Sequence, residues 1–242
     1  ARRGDRWWGR YGHGSTDRPH PEGWFVMAAR PLLLDLFCCE GGAATGYHQA
    51  GFDILGVDIA PQPLYPFEMI QADALDPRIW EMAGVDAYHA SPPCQSYTTM
   101  SNRWGSAELE LIDDVRALLE ATGKPWVIEN VVGAKRAMRS PLRLHGGHFG
   151  LDVYRPRLFE SNILLMAPPA APRPVDAAAV YGRKEDGRRL WTRKDGTELR
   201  AASLLEARQA MEMPWASWNG CREAIPPAYT RFIGEQLMRA VA

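Results

Sequence analysis

Between Pro31 and Val131 the chain alternates short apolar runs with stretches of helical period. That alternation limits its fold more than any other feature. "PLLLDLF" is a nearly continuous apolar run, as a strand buried on both faces requires. "AATGYHQAGF" then predicts a short helix closing on Gly51. "ILGVDI" predicts a second strand with an acid near its end, "FEMIQADAL" a third and "VDAYHAS" a fourth. "SAELELIDDVRALLEATG" has the period of an amphipathic helix ending at Gly123, and "PWVIENV" is a fifth strand. Strands alternating with helices imply βαβ units, hence a mostly parallel α/β sheet with helices on both faces. Ligands of such sheets bind beyond the carboxyl ends of the strands. The loops after Phe37, Ile59, Ile70, Ala90 and Ile128 are therefore expected to share one rim.

The 242 residues fit one sizeable domain. A net charge of −1 excludes a global polycation, so a nucleic-acid partner needs a local basic patch. The four cysteines, Cys38, Cys39, Cys94 and Cys221, form no C-x-x-C pair. That argues against a zinc ribbon or a thioredoxin-like site and for a reducing, cytoplasmic setting. No apolar run approaches the ~18 residues of a membrane span, and no secretory signal is visible. Residues 1–26, rich in Arg, Gly, Trp and His, carry no period. They read either as a leader ahead of a start at Met27 or as a basic arm for a polyanion. Residues 27–165 hold the alternating core. Residues 166–202 break it with a Pro/Ala linker and a polar stretch containing two Asp-Gly steps, which favour tight turns. Residues 203–242 return to helix, first "SLLEARQAMEM" and then a closing helix with Pro227 in its first turn.

"LDLFCCEGGAATG" joins the first strand to the first helix, where Gly41, Gly42 and Gly46 allow close backbone approach. Asp58 ends the second strand and suits ribose hydroxyls; Asp73 ends the third and suits an adenine amine. This pattern points to an adenosine-containing cofactor. It is common to NAD and S-adenosylmethionine, although the glycine spacing departs from the dinucleotide fingerprint. In "ASPPCQSY" a single thiol, Cys94, stands behind Pro92 and Pro93. "VIENV" places Glu129 at the end of an apolar strand, a setting that perturbs a carboxyl. In "YRPRLFES", strand alternation predicts Arg155 and Arg157 on one face. His145 and His148 in "HGGHFG" have no carboxylate or thiol at ligand spacing, so a turn is expected there and no metal site. His48 and His89 fall inside elements and are expected to be packing residues.

"LLLDLFCCEGG…GYHQAGF", "SPPCQSYT", "IENVVG", "YRPRLF" and "EAIPPAYTRFIG" occur in an order that resembles the DNA cytosine-5 methyltransferases, from Pro31 to the C-terminus. With its short variable region the chain is most similar to compact, phage-encoded members. The resemblance implies a Rossmann-like S-adenosylmethionine-dependent methyltransferase fold with a very small target-recognition region. It also implies methylation of cytosine carbon 5 in duplex DNA by base flipping, in a cytoplasmic, monomeric enzyme of a bacterial host and without a membrane partner. Cys94 would be the nucleophile at carbon 6, Glu129 the partner of nitrogen 3 and the exocyclic amine, Arg157 the contact to the base oxygen and Arg155 the support of its loop. The cofactor would be lined by Phe37, Cys38, Cys39, Gly41, Gly42, Asp58, Ile59, Asp73, Ala74, Pro92, Glu223 and Ala224. Residues 27–165 and 203–242 would form the catalytic domain, and residues 166–202 the target-recognition region.

Contacts to DNA would come from Gln95 and Ser96 and from a basic set in the variable region: Arg183, Lys184, Arg188, Arg189, Trp191, Arg193 and Lys194. So short a region reads as either a solvated hairpin or a reader of roughly two to four base pairs. Four positions depart from the family pattern. Cys39 replaces the usual glycine, Val153 the usual glutamine, and Arg222-Glu223 the usual Gly-Asn that faces the methionine end of the cofactor. Three other readings stay open: methylation of structured RNA such as tRNA, a catalytically silent DNA- or cofactor-binding module, and a nicotinamide dehydrogenase. The last leaves Pro-Pro-Cys-Gln unexplained.

Overall fold

The computed structural model describes residues 30–93, 111–174, 177–181, 189–192, 198–200 and 202–241. Strands β1 (Leu32–Leu36), β2 (Asp53–Asp58), β3 (Glu68–Gln71), β4 (Ala87–Ala90) and β5 (Trp126–Val131) pair in parallel. Strands β6 (Leu142–Leu144) and β7 (Arg157–Ser161) complete a seven-stranded sheet in the order β3-β2-β1-β4-β5-β7-β6, with β7 antiparallel to both neighbours. The helices are α1 (Gly42–Ala50), α2 (Pro77–Trp80), α3 (Ile112–Thr122), α4 (Leu204–Met211), α5 (Trp218–Glu223) and α6 (Pro227–Val241). A separate antiparallel hairpin joins β8 (Arg189–Thr192) to β9 (Glu198–Arg200). The mostly parallel sheet and the shared rim are therefore as the alternation requires. The chain steps outward from β1 to β3, then returns to β4 on the other side of β1. The β1/β4 boundary is thus the topological switch point, where ligands of such sheets sit.

Period-2 alternation separates two cores. Leu33, Ala87 and Val127 face a cluster with Tyr47, Phe52, Ile225, Tyr229 and Ile233, drawn from α1 and α6. Leu34, Leu36, Val57, Tyr88 and Ile128 face the opposite cluster with Ile79, Val115 and Leu119, drawn from α2 and α3. Helices thus cover both faces.

Helix α1 packs unusually close to α6, and small residues explain it. A Cβ on Gly46 would lie 2.1 Å from the Pro227 carbonyl oxygen. The Thr230 hydroxyl donates to the Ala43 carbonyl at 2.9 Å across the same seam. The α1 helix begins after Gly41 (φ 79°) and ends at Gly51 (φ 116°), both left-handed positions where glycine carries no Cβ penalty.

Arg155 corrects the alternation expected for "YRPRLFES". Strand β7 begins only at Arg157, and Arg155 sits before it with φ 29°, so the two arginines do not share a strand face. Val153 is buried.

Candidate functional site

The rim after β1 is shaped by the glycine-bearing segment that joins it to α1. Phe37 (φ 61°) and Cys39 (φ 45°) both adopt left-handed backbone, a conformation side chains resist and surrounding contacts must hold. The Cys39 amide donates to Asp58 Oδ2 and the Ala60 amide to Asp58 Oδ1, each at 2.9 Å, so Asp58 ties this loop to the end of β2. Each oxygen keeps lone-pair capacity for a further donor. Ile59 beside it is 72% exposed, an apolar surface next to a carboxylate. Asp73 is exposed and accepts from the Leu75 amide, whereas Ala74 is buried. Cys38 is buried, and burial followed by nearby carboxylates pushes its thiol far up. The same causes push Cys39 up to about 12, with Glu223 among the carboxylates responsible. Neither thiol is a nucleophile at neutral pH.

Two glycines of the loop have a structural explanation besides the cofactor one. A Cβ on Gly41 would meet Pro66 at 2.7 Å, and one on Gly42 would meet the Ile225 carbonyl oxygen at 2.4 Å. The chain's own segments fill those directions. Glu40 clamps the loop from outside. Its carboxylate accepts from the Ser217 amide at 2.7 Å and the Ser217 hydroxyl at 2.5 Å, at the start of α5. The Trp215 indole donates to the Glu40 carbonyl at 2.8 Å. Glu223, at the end of α5, is half exposed and pairs with Arg222 at 2.7 Å; Ala224 follows it.

The second half of the rim lies at the ends of β4 and β5. Pro92 is buried, and its carbonyl accepts from Asn130 Nδ2 at 3.0 Å. Asn130 was not singled out in the sequence, yet it ties the proline pair to the strand carrying Glu129. Glu129 is buried, and Arg157 Nε lies 2.9 Å from its Oε1 as an ion pair out of hydrogen-bond alignment. Burial raises the Glu129 carboxyl, opposed in turn by Arg157, a hydrogen bond from Ser91 and the charge of Arg155. Burial thus favours the protonated form of this carboxyl, against the pull of Arg157.

Arg155 is buried and donates from Nε to the Ala224 carbonyl at 2.6 Å and from Nη2 to the Arg222 carbonyl. It holds the turn after α5 and does not touch Glu129's carboxylate. Burial, then Arg157, lowers it to about 9. His145 and His148 form a reciprocal cap on the turn Gly146–Phe149. His145 Nδ1 accepts from the Gly147 amide and His148 Nδ1 from the His145 amide. That is the turn expected of them.

Cys94, Gln95, Ser96, Arg183, Lys184, Arg188, Arg193 and Lys194 lie outside the described residues. Arg189 and Trp191 fall in β8, across from Arg200 and Leu199 of β9, with an irregularity between them.

Asp35 is a buried acid that sequence reading passed over. It lies on the α1 face of β1, accepts from the Tyr65 hydroxyl at 3.3 Å, and leaves Oδ1 without a hydrogen bond among the described residues. Desolvation raises it from 3.8 to about 8. Since the folded state holds its proton more tightly, the stability it contributes is full below about 4 and is lost as pH climbs towards 8. Asp35→Asn, which mimics the protonated acid, is expected to flatten that decline. Urea midpoints at pH 5 and pH 8 for both proteins check this; an unchanged slope in the variant contradicts it.

No protein-family model matches the chain. Among curated proteins it is 28% identical over 122 residues to the type II methyltransferase M.XorII of Xanthomonas oryzae pv. oryzae, an alignment covering 43% of this chain and 29% of that relative. The chain thus spans well under half the length of that protein. Three solved structures superpose on nearly the whole chain. The Entamoeba histolytica methyltransferase EhMeth gives a TM-score of 0.59 at 12% identity, covering 88% of this chain and 99% of its own. The S. pombe Dnmt2 methyltransferase gives 0.54 at 12%, covering 87% and 98%. A prophage-encoded E. coli protein assigned as a DNA modification methyltransferase gives 0.54 at 13%, covering 86% and 99%. The chain has the methyltransferase fold. In that fold the loop after β1, the acid ending β2 and the exposed Ile59 form one side of the rim, and Pro92, Glu129 and Arg157 form the other. The donor set of the first side fits a nucleoside: a carboxylate with free lone pairs for hydroxyls beside an apolar face for a base.

Proposed function

We propose that this chain transfers a methyl group from S-adenosylmethionine to carbon 5 of cytosine in duplex DNA. The observation that carries the reading is the buried Glu129–Arg157 pair, tied through Asn130 to the prolines immediately before Cys94. Asp58, Ile59, Phe37 and Asp73 would hold the cofactor, with Glu223 near its amino-acid end. When bound, S-adenosylmethionine supplies an electrophilic methyl on a sulfonium.

Cytosine carbon 5 is a weak nucleophile, and the protein residues supply what it lacks. The Cys94 thiolate forms a bond to carbon 6, and the ring electrons move towards nitrogen 3 and carbon 5. This is covalent catalysis, which splits one hard step into easier ones. Glu129 gives its proton to nitrogen 3 as sulfur adds, and Arg157 holds both the resulting carboxylate and the base oxygen. Once carbon 5 carries the methyl, its proton passes to water, the carbon–sulfur bond breaks to restore the thiolate, and nitrogen 3 returns its proton to Glu129. The base must leave the duplex first, at a cost of about a few kcal/mol in stacking and pairing. The tie between Asn130 and Pro92 holds the segment ahead of the thiol, so less ordering remains at the moment of attack. Arg155 positions the turn bearing Glu223 and Ala224. The basic residues of the variable region, with Gln95 and Ser96, would contact DNA.

The test is a duplex carrying 5-fluorocytosine, which cannot lose the carbon 5 substituent and traps the sulfur adduct. A stable protein–DNA adduct that needs S-adenosylmethionine and is lost in Cys94→Ala is expected. Absence of an adduct on any duplex sinks the reading. A parallel incubation with tRNA carrying the same base separates the RNA alternative, in which only the RNA forms the adduct.

A further inference from the structure

Three residues with no role in the proposed reaction line up behind Glu129. The side chains of Ala87 and His89 in β4 alternate onto the α1 face of the sheet, Ser91 just beyond the strand continues the series, and in β5 Val127 and Glu129 do the same. The register pairs Ala90 with Ile128, so Ser91 falls beside Glu129 one step further along. The Tyr47 hydroxyl of α1 lies 3.0 Å from His89 Nδ1, and His89 Nε2 lies 3.0 Å from the Ser91 hydroxyl. The Ser91 hydroxyl is near enough to the Glu129 carboxyl to favour its charged form. Tyr47 and His89 are fully buried.

The donor count sets the direction of this chain. Burial lowers His89 to about 3, so its ring is neutral, with one N–H and one lone pair. A serine hydroxyl whose hydrogen faces the neighbouring carboxylate leaves its oxygen to accept. His89 then donates from Nε2, and its Nδ1 accepts from the Tyr47 hydroxyl. Every donor points towards Glu129, and each group keeps its own hydrogen.

We infer that Tyr47, His89 and Ser91 are positioning residues that orient Glu129 and stabilise its carboxylate once the proton has gone to the base. The inference rests on Glu129 acting as the acid. The chain also joins the acid to α1, the helix that opens from the cofactor loop. Other groups around Glu129 are Arg157 and Arg155 from the β7 side and Tyr229 from α6. Asp35 is the cross-strand neighbour of His89. The arginines favour the carboxylate as Ser91 does, and the chain acts in addition to them.

The measurement is the pH dependence of kcat for methyl transfer to duplex DNA, with thermal unfolding as a check on folding. The alkaline limb reports loss of the Glu129 proton. Ser91→Ala removes a hydroxyl that favours the carboxylate, so the limb is expected to move to higher pH while kcat falls roughly tenfold. Ser91→Thr, which keeps the hydroxyl, restores both. Tyr47→Phe moves the limb in the same direction by less. A limb absent in Glu129→Gln, present in wild type and unmoved in Ser91→Ala and Tyr47→Phe overturns the chain alone. A limb that persists in Glu129→Gln overturns the reading of Glu129 as the acid, and this inference with it.

Discussion

Glu129→Gln is expected to lower kcat by roughly 10²–10⁴-fold, the usual contribution of a positioned proton donor. Glutamine keeps the size and a hydrogen-bond donor but has no proton to give to nitrogen 3. The carboxyl is raised by burial, and Arg157, Ser91 and Arg155 hold that rise in check. Wild-type activity therefore falls as pH rises through the Glu129 pKa, and this limb disappears in the variant. Single-turnover methyl transfer across pH, with binding of cofactor and duplex measured separately, checks both points. A loss confined to binding, with the single-turnover rate intact, contradicts the assignment. Above the Glu129 pKa the amide also leaves the Arg157 guanidinium, only 14% exposed, without a counter-charge, so some loss of stability is expected there.

Glu160→Ala is expected to destabilise the fold by about 3–5 kcal/mol, because it strands a buried charge. Arg116 of α3 and Glu160 of β7 are each 2% exposed and meet at two points, Nε to Oε1 at 2.6 Å and Nη2 to Oε2 at 2.9 Å. The Arg139 amide donates to the same carboxylate at 2.8 Å. The pair bolts α3 to β7, the antiparallel strand beside β5. Asp113, one turn before Arg116, also contacts its guanidinium but is largely exposed and compensates little. Urea unfolding gives the magnitude. The double variant Arg116→Met/Glu160→Leu should recover much of the loss, since two apolar groups leave no orphan charge. A single variant within about 0.5 kcal/mol of wild type, the range of ordinary surface changes, contradicts the argument.

The strands β1 to β5 were legible because each is short, apolar and bounded by turn residues. Helices α1, α4 and α6 were legible from period and from Gly51 and Pro227. The short helices α2 and α5 were not, since six residues or fewer carry too little period to detect. At the site, Glu129 and Arg157 were legible through family motifs, and the structure brings them to 2.9 Å. Arg155 was assigned to a strand face it does not occupy, because alternation says nothing about where a strand begins. Asn130, Glu40, Asp35 and Ser91 were in plain view but lacked a signal. Asn130, Glu40 and Asp35 meet partners 38, 177 and 30 residues away, and Ser91 lies beside a carboxyl that comes late in the next strand.

By itself, then, the order of apolar and polar residues determined the layers, the rim and the chemical types gathered there. Burial of apolar surface needs only the pattern, and the pattern is local. Tertiary structure alone decided which polar group meets which. That depends on strand register, where one residue of slip sends every side chain to the other face. His89 shows the difference: in sequence it is one more residue inside a strand, expected to pack. Only the pairing of β4 with β1 and β5 places it between Tyr47 and Ser91, with Glu129 beyond.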